Sequence, residues 1–281
     1  MFDRDCKDSP SRGLLENFDV FLGLEGSKQP QDYGVNAHLG GRFSVNKGLP
    51  LWESAGLGLQ VGTSLNYTEN AVQVFERFGA STHRTQSFTT VGLFQRLDSG
   101  LVWAGAWDFL YESYFDHFSL NQFRGQLGWR SDADELGLRA SLSGDRDRGT
   151  IIGVPVTLKP LSQGNAYWRH TWESQAETTL WVGLAESHGQ RNLAFEALLG
   201  DPRQAASGAR LLFGAEIQVP LNDHWALFGQ GNFITPADTG SVDAYLGVCW
   251  YPAGGAYGAR QRQFAPVLPV ANSPTFTVDL R

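Results

Sequence analysis

Along most of this chain apolar residues fall at every second position, in stretches of about ten residues closed by turn formers. Between Tyr33 and Val45 one face reads Val35, Ala37, Leu39, Gly41, Phe43, Val45, and the other reads Asn36, His38, Gly40, Arg42, Ser44. From Gly56 to Thr68, the residues Leu57, Leu59, Val61, Thr63, Leu65 and Tyr67 oppose Gly58, Gln60, Gly62, Ser64 and Asn66. A period of two sustained this long is a strand pattern, because an amphipathic helix repeats every ~3.6 residues. Segments 101–113, 121–130, 136–143, 209–221 and 241–251 repeat it, and noisier copies lie near 17–26, 85–97, 163–172, 177–185 and 225–235. The pattern predicts twelve strands.

The links between these segments sort by length. Short ones at 98–100, 131–135, 173–176 and 222–224 alternate with mostly longer ones. Transmembrane barrels are built this way, with short turns in the periplasm and long loops outside, and an even strand number returns both termini to the periplasmic side. The competing fold is a soluble β-sandwich, whose strands also alternate but average about 5–6 residues. Aromatic residues near strand ends (Trp52, Tyr67, Tyr111, Tyr114, Trp129, Trp172, Trp225, Trp250, Tyr251) suit interfacial girdles. The expected fold is therefore all-β: a single antiparallel up-and-down transmembrane β-barrel over residues 17–252. A periplasmic segment, 1–16, precedes it and an extended C-terminal tail, 253–281, follows.

Composition changes this picture little. Gly supplies 33 of 281 residues, Trp nine and Met one, which suits many strands joined by turns. A net charge of -7 argues against a nucleic-acid partner. No apolar run is long enough for a transmembrane helix, which leaves a barrel untouched. Met1 to Cys6 does not open an export signal, so the expected outer-membrane location requires that a signal has been removed or that the chain is a fragment.

Three segments carry a family likeness: Arg84–Arg96 (RTQSFTTVGLFQR), Gly105–Trp129 (GAWDFLYESYFDHFSLNQFRGQLGW) and Phe264–Asp279 (FAPVLPVANSPTFTVD). They resemble an uncharacterised family of outer-membrane β-barrel proteins from planctomycete bacteria. The resemblance implies a fold and a bacterial outer-membrane location, and no activity. Val242, Ala244, Leu246, Val248 and Trp250 end the last strand like the aromatic-terminated signal read by barrel-assembly machinery. Beyond it, Gly254-Gly255 and the spacing of Pro266, Pro269 and Pro274 suggest an extended tail, placed in the periplasm in preference to the lumen.

On the polar face stand Arg42, Arg96, Asp108, Glu112, Arg124, Arg139, Arg210, Glu216 and Asp243, together with Glu25. Charges on the lipid face cost about 2–4 kcal/mol near the midplane, so these face the lumen. They either line a pore for small solutes or fill the lumen as a salt-bridge network. Catalysis finds little support: His38 with Ser64 or Asn66 is the one arrangement the strands suggest, and no Gly-x-Ser-x-Gly elbow exists. Asp145 to Gly149 begins like a calcium loop but lacks the glutamate at the twelfth position, so it reads as a solvated charged loop and no metal is expected. Cys6 and Cys249 flank the closure of the barrel and are candidates for a disulfide. Two apolar loop stretches, 71–78 and 192–199, would pack on the rim or constrict the mouth.

The expectation is a barrel in contact with outer-membrane lipid, acting as a narrow channel or a structural envelope component, with no cofactor and no reaction. The alternative is a sealed barrel whose long loops recognise a surface partner or glycan.

Overall fold

Period-two alternation becomes a wall with two faces, and the computed structural model closes that wall on itself. It describes residues 15–29, 32, 37–71, 83–151, 154–187, 208–235 and 241–280. The strands are β1 (Phe18–Lys28), β2 (His38–Trp52), β3 (Leu57–Asn70), β4 (His83–Arg96), β5 (Leu101–Ser113), β6 (His117–Ser131) and β7 (Asp134–Ser143). After a short hairpin, β8 (Asp147–Ile151) and β9 (Val154–Pro160), come β10 (Gln163–Thr171), β11 (Glu177–Ala185), β12 (Arg210–Pro220), β13 (Trp225–Ile234) and β14 (Ser241–Trp250). A last strand, β15 (Val278–Leu280), lies in the tail.

Twelve of these form one closed antiparallel barrel, with each strand beside its predecessor, β10 beside β7, and β14 returning to β1. Every expected barrel strand is present. The additional strands, β8, β9 and β15, form a separate three-stranded sheet ordered β15-β9-β8. β2 to β6 run 13–15 residues, β5 within the bounds that the alternation predicted and the others longer, while β7 and β10 to β14 run 9–11.

The exterior is a bilayer surface. Leu22, Leu24, Leu138, Leu142 and Val182 are each 56–67 % exposed on the outward face. At the short-turn end a ring of outward tryptophans includes Trp52, Trp129, Trp172, Trp225 and Trp250. At the other end Tyr67 stacks on His83 and Tyr111 on His117, both pairs across neighbouring strands. These are the two interfacial girdles of a transmembrane barrel, an outer-membrane architecture. Tyr114 and Tyr251, expected in the girdles, are not there. Tyr114 is buried edge-on to His38 and donates to Asn70, while half-buried Tyr251 receives a hydrogen bond from Gln218.

Closure depends on close approach at the seam. Gly23 of β1 stands directly opposite Gly247 of β14. A Cβ on Gly23 would lie 2.4 Å from the Leu246 carbonyl oxygen and 2.7 Å from Gly247 Cα. At the loop end β6 outruns β7, whose last partner is Gln122, so the edge of β6 above it needs other acceptors. Asp147 accepts from Ser119 N at 2.7 Å and Asp145 from Asn121 N at 2.8 Å. The charged loop expected at 145–149 is thus a clamp leading into a strand, with its carboxylates engaged by backbone donors. Asp116, between β5 and β6, accepts from Thr150 N and His117 N, and these bonds hold its carboxyl below the usual value of 3.8.

Two outcomes follow. Gly23→Val should destabilise the barrel by about 1–3 kcal/mol through overpacking at the seam, read as a lower urea midpoint in detergent. Because Asp116 has a depressed folded pKa, its clamp is intact above the unfolded value and is lost as pH falls through the folded one, below 3.8. Amide exchange at Thr150, compared with Asp116→Asn at the same pH, should therefore quicken only in that acid window.

Candidate functional site

Alternation fixes which side chains face the lumen, and all nine predicted charged residues do. Arg42, Arg96, Asp108, Glu112, Arg124, Glu216 and Asp243 are buried, while Arg139 and Arg210 are partly so. They do not converge on one point. At mid-height Arg124 grips Asp108, with Thr90 donating to Asp108 at 2.8 Å and Gln122 at 3.0 Å. Towards the loop end Gln86 donates to Glu112 at 2.6 Å, Gln29 donates to Asp243 at 3.2 Å, and Arg84 bonds Ser27. Towards the short-turn end Glu216 is bonded by Arg260 of the tail, and Glu135 pairs with Arg130 at 2.9 Å and Arg169 at 3.2 Å.

Arg84, Glu135, Arg169 and Arg260 are members of these networks that sequence reasoning passed over. Arg84 sits one residue outside the expected strand, Glu135 lay in an expected turn, Arg169 in a noisy strand and Arg260 in the tail. A longer β4, carried one alternation step back from Gln86, would have found Arg84.

The tail corrects its own expected placement. It does not lie in the periplasm; it threads the lumen from the short-turn end to the loop end. After Trp250 the chain turns at Gly254 and Gly255, whose φ of 78° and 83° suit glycine, and Gly255 N donates to Asp223 in the β12–β13 turn at 2.8 Å. Arg96 then donates to the carbonyls of Arg260 at 2.9 Å, Gln263 at 3.2 Å and Ala265 at 2.6 Å. Higher up, Gln60 donates to Leu268 O at 2.6 Å and Arg124 to Pro269 O at 2.9 Å. Ser273 donates to Glu25, and Gln122 donates to Thr275 O at 3.0 Å. The tail ends as β15, antiparallel to β9 with Asp279 opposite Lys159.

Apolar packing seals the same path. Phe88, Leu110, Phe118 and Leu120 from the wall close on Val156 and Leu158 of β9 and on Phe276, Val278 and Leu280 of the tail. Lower down, Val267 and Leu268 pack against Phe94, Val102 and Ala104. Among the described residues, two cavities stand out beside the tail. One lies against the β1–β2 and β12–β14 wall, and the other lies between the tail and the wall of β7, β10, β11 and β13.

Register removes the catalytic arrangement. His38 pairs with Asn70, whereas Ser64 pairs with Ser44, six residues further along β2. At about 3.3 Å per residue that is roughly 20 Å. His38 instead contacts Asp32 at 2.9 Å, and Ser64 donates to Asn66. Cys249 is buried on β14 at the closure seam, and Cys6 lies outside the described residues. So do the apolar loop stretches, apart from Ala71.

A family described as "Family of unknown function (DUF6666)" matches residues 17–278. The chain belongs to DUF6666. The matched span covers the barrel and all but the last residues of the tail that fills it. No curated protein matches this member in sequence. Among solved structures, one from a study of the in-meso crystallization of membrane proteins has a TM-score of 0.51 at 8% identity, covering 93% of this chain and all of its own. The Salmonella typhi outer membrane phospholipase dimer with bound calcium has a TM-score of 0.44 at 10% identity, with 84% and 91% of the two chains covered. The translocator domain of autotransporter NalP from Neisseria meningitidis has 0.45 at 13%, with 83% and 87% covered. At such identities the likeness is one of fold.

Arg96→Ala removes three charge-assisted bonds to the tail and leaves the wall strands paired. Amide exchange across 263–268 should rise tenfold or more, with far-UV circular dichroism unchanged.

Proposed function

We propose that this protein is a self-plugged barrel of the bacterial outer membrane, a narrow channel held shut at rest by its own C-terminal tail. The observation that carries this reading is the tail's course: backbone carbonyls from Arg260 to Thr275 are taken up by inward-facing wall side chains over the height of the lumen. With the tail withdrawn, Arg96, Arg124 and Arg139 would line the bore, which suits small solutes carrying negative charge. The reading includes bilayer lipid and barrel-assembly machinery as partners and a planctomycete source, and it invokes no cofactor and no reaction.

A second reading is a permanently sealed barrel whose exterior loops bind a surface partner. The apolar cluster around Phe276 favours it, because burying such a cluster stabilises a closed state.

Single-channel recording in a planar bilayer separates the two. The full chain should insert and stay silent, and a chain ending at Ala253 should conduct, with Arg124→Glu in that truncated background shifting preference towards cations. Steady conductance by the full chain would remove the plug. Silence of both after insertion would leave the sealed barrel. If the truncated chain does not insert, Arg96→Ala in the full chain supplies the comparison, with brief openings expected.

A further inference from the structure

A guanidinium buried in protein ordinarily meets carboxylate or carbonyl oxygens, because its N–H groups are costly to leave unbonded. Most of the lumen follows that rule, but among the described residues Arg84 and Arg42 each leave Nε and Nη1 unbonded, and Arg42 has no hydrogen bond at all. Of the buried arginines among the described residues, Arg84 bonds Ser27, Arg96 the tail carbonyls, Arg124 Asp108, and Arg169 Glu135. Arg42 has 3% exposure, yet its Nε and Nη1 have no partner. Its faces are covered: the guanidinium carbon lies 4.0 Å from the centre of the Tyr245 ring and 5.4 Å from that of Phe21. What its edge lacks is an oxyanion.

The strands beside it supply none that hydrogen-bonds it. Arg42 stands opposite Gly23 on β1 and Asn66 on β3. Gly23 brings no side chain, and Asn66 donates to Glu25 at 2.8 Å. Glu25 is close enough to act on Arg42 through its charge, but its Oε1 bonds Asn66 and Ser273 and no hydrogen bond joins it to Arg42.

Arg42 does line a cavity of about 70 Å³ at the short-turn half of the lumen, walled on the far side by the tail. That is well below a drug-sized pocket of about 300–1,000 Å³, so it suits only a small ligand. Three arginines line it, Arg42, Arg260 and Arg262, against a single carboxylate, Asp19. Arg260 is already engaged by Glu216, and Arg262 donates to Gly254 O at 2.7 Å. Phe21, Phe228 and Tyr245 supply an aromatic wall, with Val267 and Val270 facing it from the tail.

We infer that this cavity is a binding site for a small organic carboxylate with an apolar body, its carboxylate on Arg42 and its body among the rings. The aromatic wall distinguishes this ligand from a bare inorganic anion, and the excess of arginine excludes a cation. The site rests on the docked tail of the preceding section, since the tail forms one wall, but binding and conductance are read separately.

Benzoate and benzamide share a shape and differ in charge, so they test the inference on the unaltered full chain in detergent. Saturation-transfer NMR and calorimetric titration should show benzoate binding at least tenfold tighter than benzamide, and Arg42→Gln should bring benzoate down to the level of benzamide. Equal binding of the two by the wild type, or binding of neither, overturns the site whether or not the variant folds. Inorganic phosphate competing as well as benzoate would also overturn it, by making the apolar body irrelevant. A full chain that conducts yet still prefers benzoate would retain the site and remove the plug.

Discussion

A backbone inside a bilayer has no water to bond, so every N–H and C=O must find its partner within the protein. The rest of this structure depends on that constraint. An open sheet would leave two unpaired edges, and closing β14 on β1 removes both. Closure in turn demands that neighbouring backbones meet without obstruction, which is why two glycines face each other at the seam. Where the wall strands are of unequal length, the orphaned edge of β6 is met by aspartates from the loop instead.

Closure also creates an interior that has to be resolved. One face of each strand is given to lipid, so the polar half of the sequence is forced inward, and with it charges that are expensive to bury alone. The solution is partly pairing within the wall, as in Arg124 with Asp108, and partly a strip of extra backbone. A segment containing Pro266, Pro269 and Pro274 carries carbonyls but lacks the N–H at each proline, so it offers more acceptors than donors. The wall answers with donors: Arg96, Gln60, Arg124 and Gln122 all point at tail carbonyls. Tail and wall are thus matched in hydrogen-bond sense as well as in shape.

The barrel was legible in the sequence because alternation is a local signal with a single geometric meaning. It fixed the twelve wall strands and the inward facing of all nine charged candidates, from Arg42 to Asp243, without knowledge of what lay across the lumen. What alternation cannot encode is pairing at a distance. The offset between His38 and Ser64 is a matter of register along β2 and β3, and a strand pattern reads the same at any register. The β8–β9 hairpin was missed because Asp147–Ile151 is too short to show a period and opens with a run of charges. The tail's place was illegible for a related reason. Phe264 to Leu280 is apolar at irregular spacing, and its partners, Phe88, Leu110 and Phe118, sit on strands whose inward positions mix polar and apolar residues. A mixed inward face was the signal: three strands in succession, β4 to β6, turn large apolar side chains towards the lumen, where water alone would not be tolerated.

This asymmetry has a functional consequence. The apolar inward patch belongs to β4, β5 and β6, where packing holds the tail, and the cavities lie against β1, β2 and β12–β14 and against β6, β7, β10, β11 and β13. A plug centred by charge alone would leave a thin ring of water around it. One pressed against an apolar wall concentrates the remaining space into two distinct voids, each lined by arginine. The same burial that fills the lumen therefore shapes the space left inside it, and places the Arg42 guanidinium, which has no hydrogen bond, at the edge of one cavity.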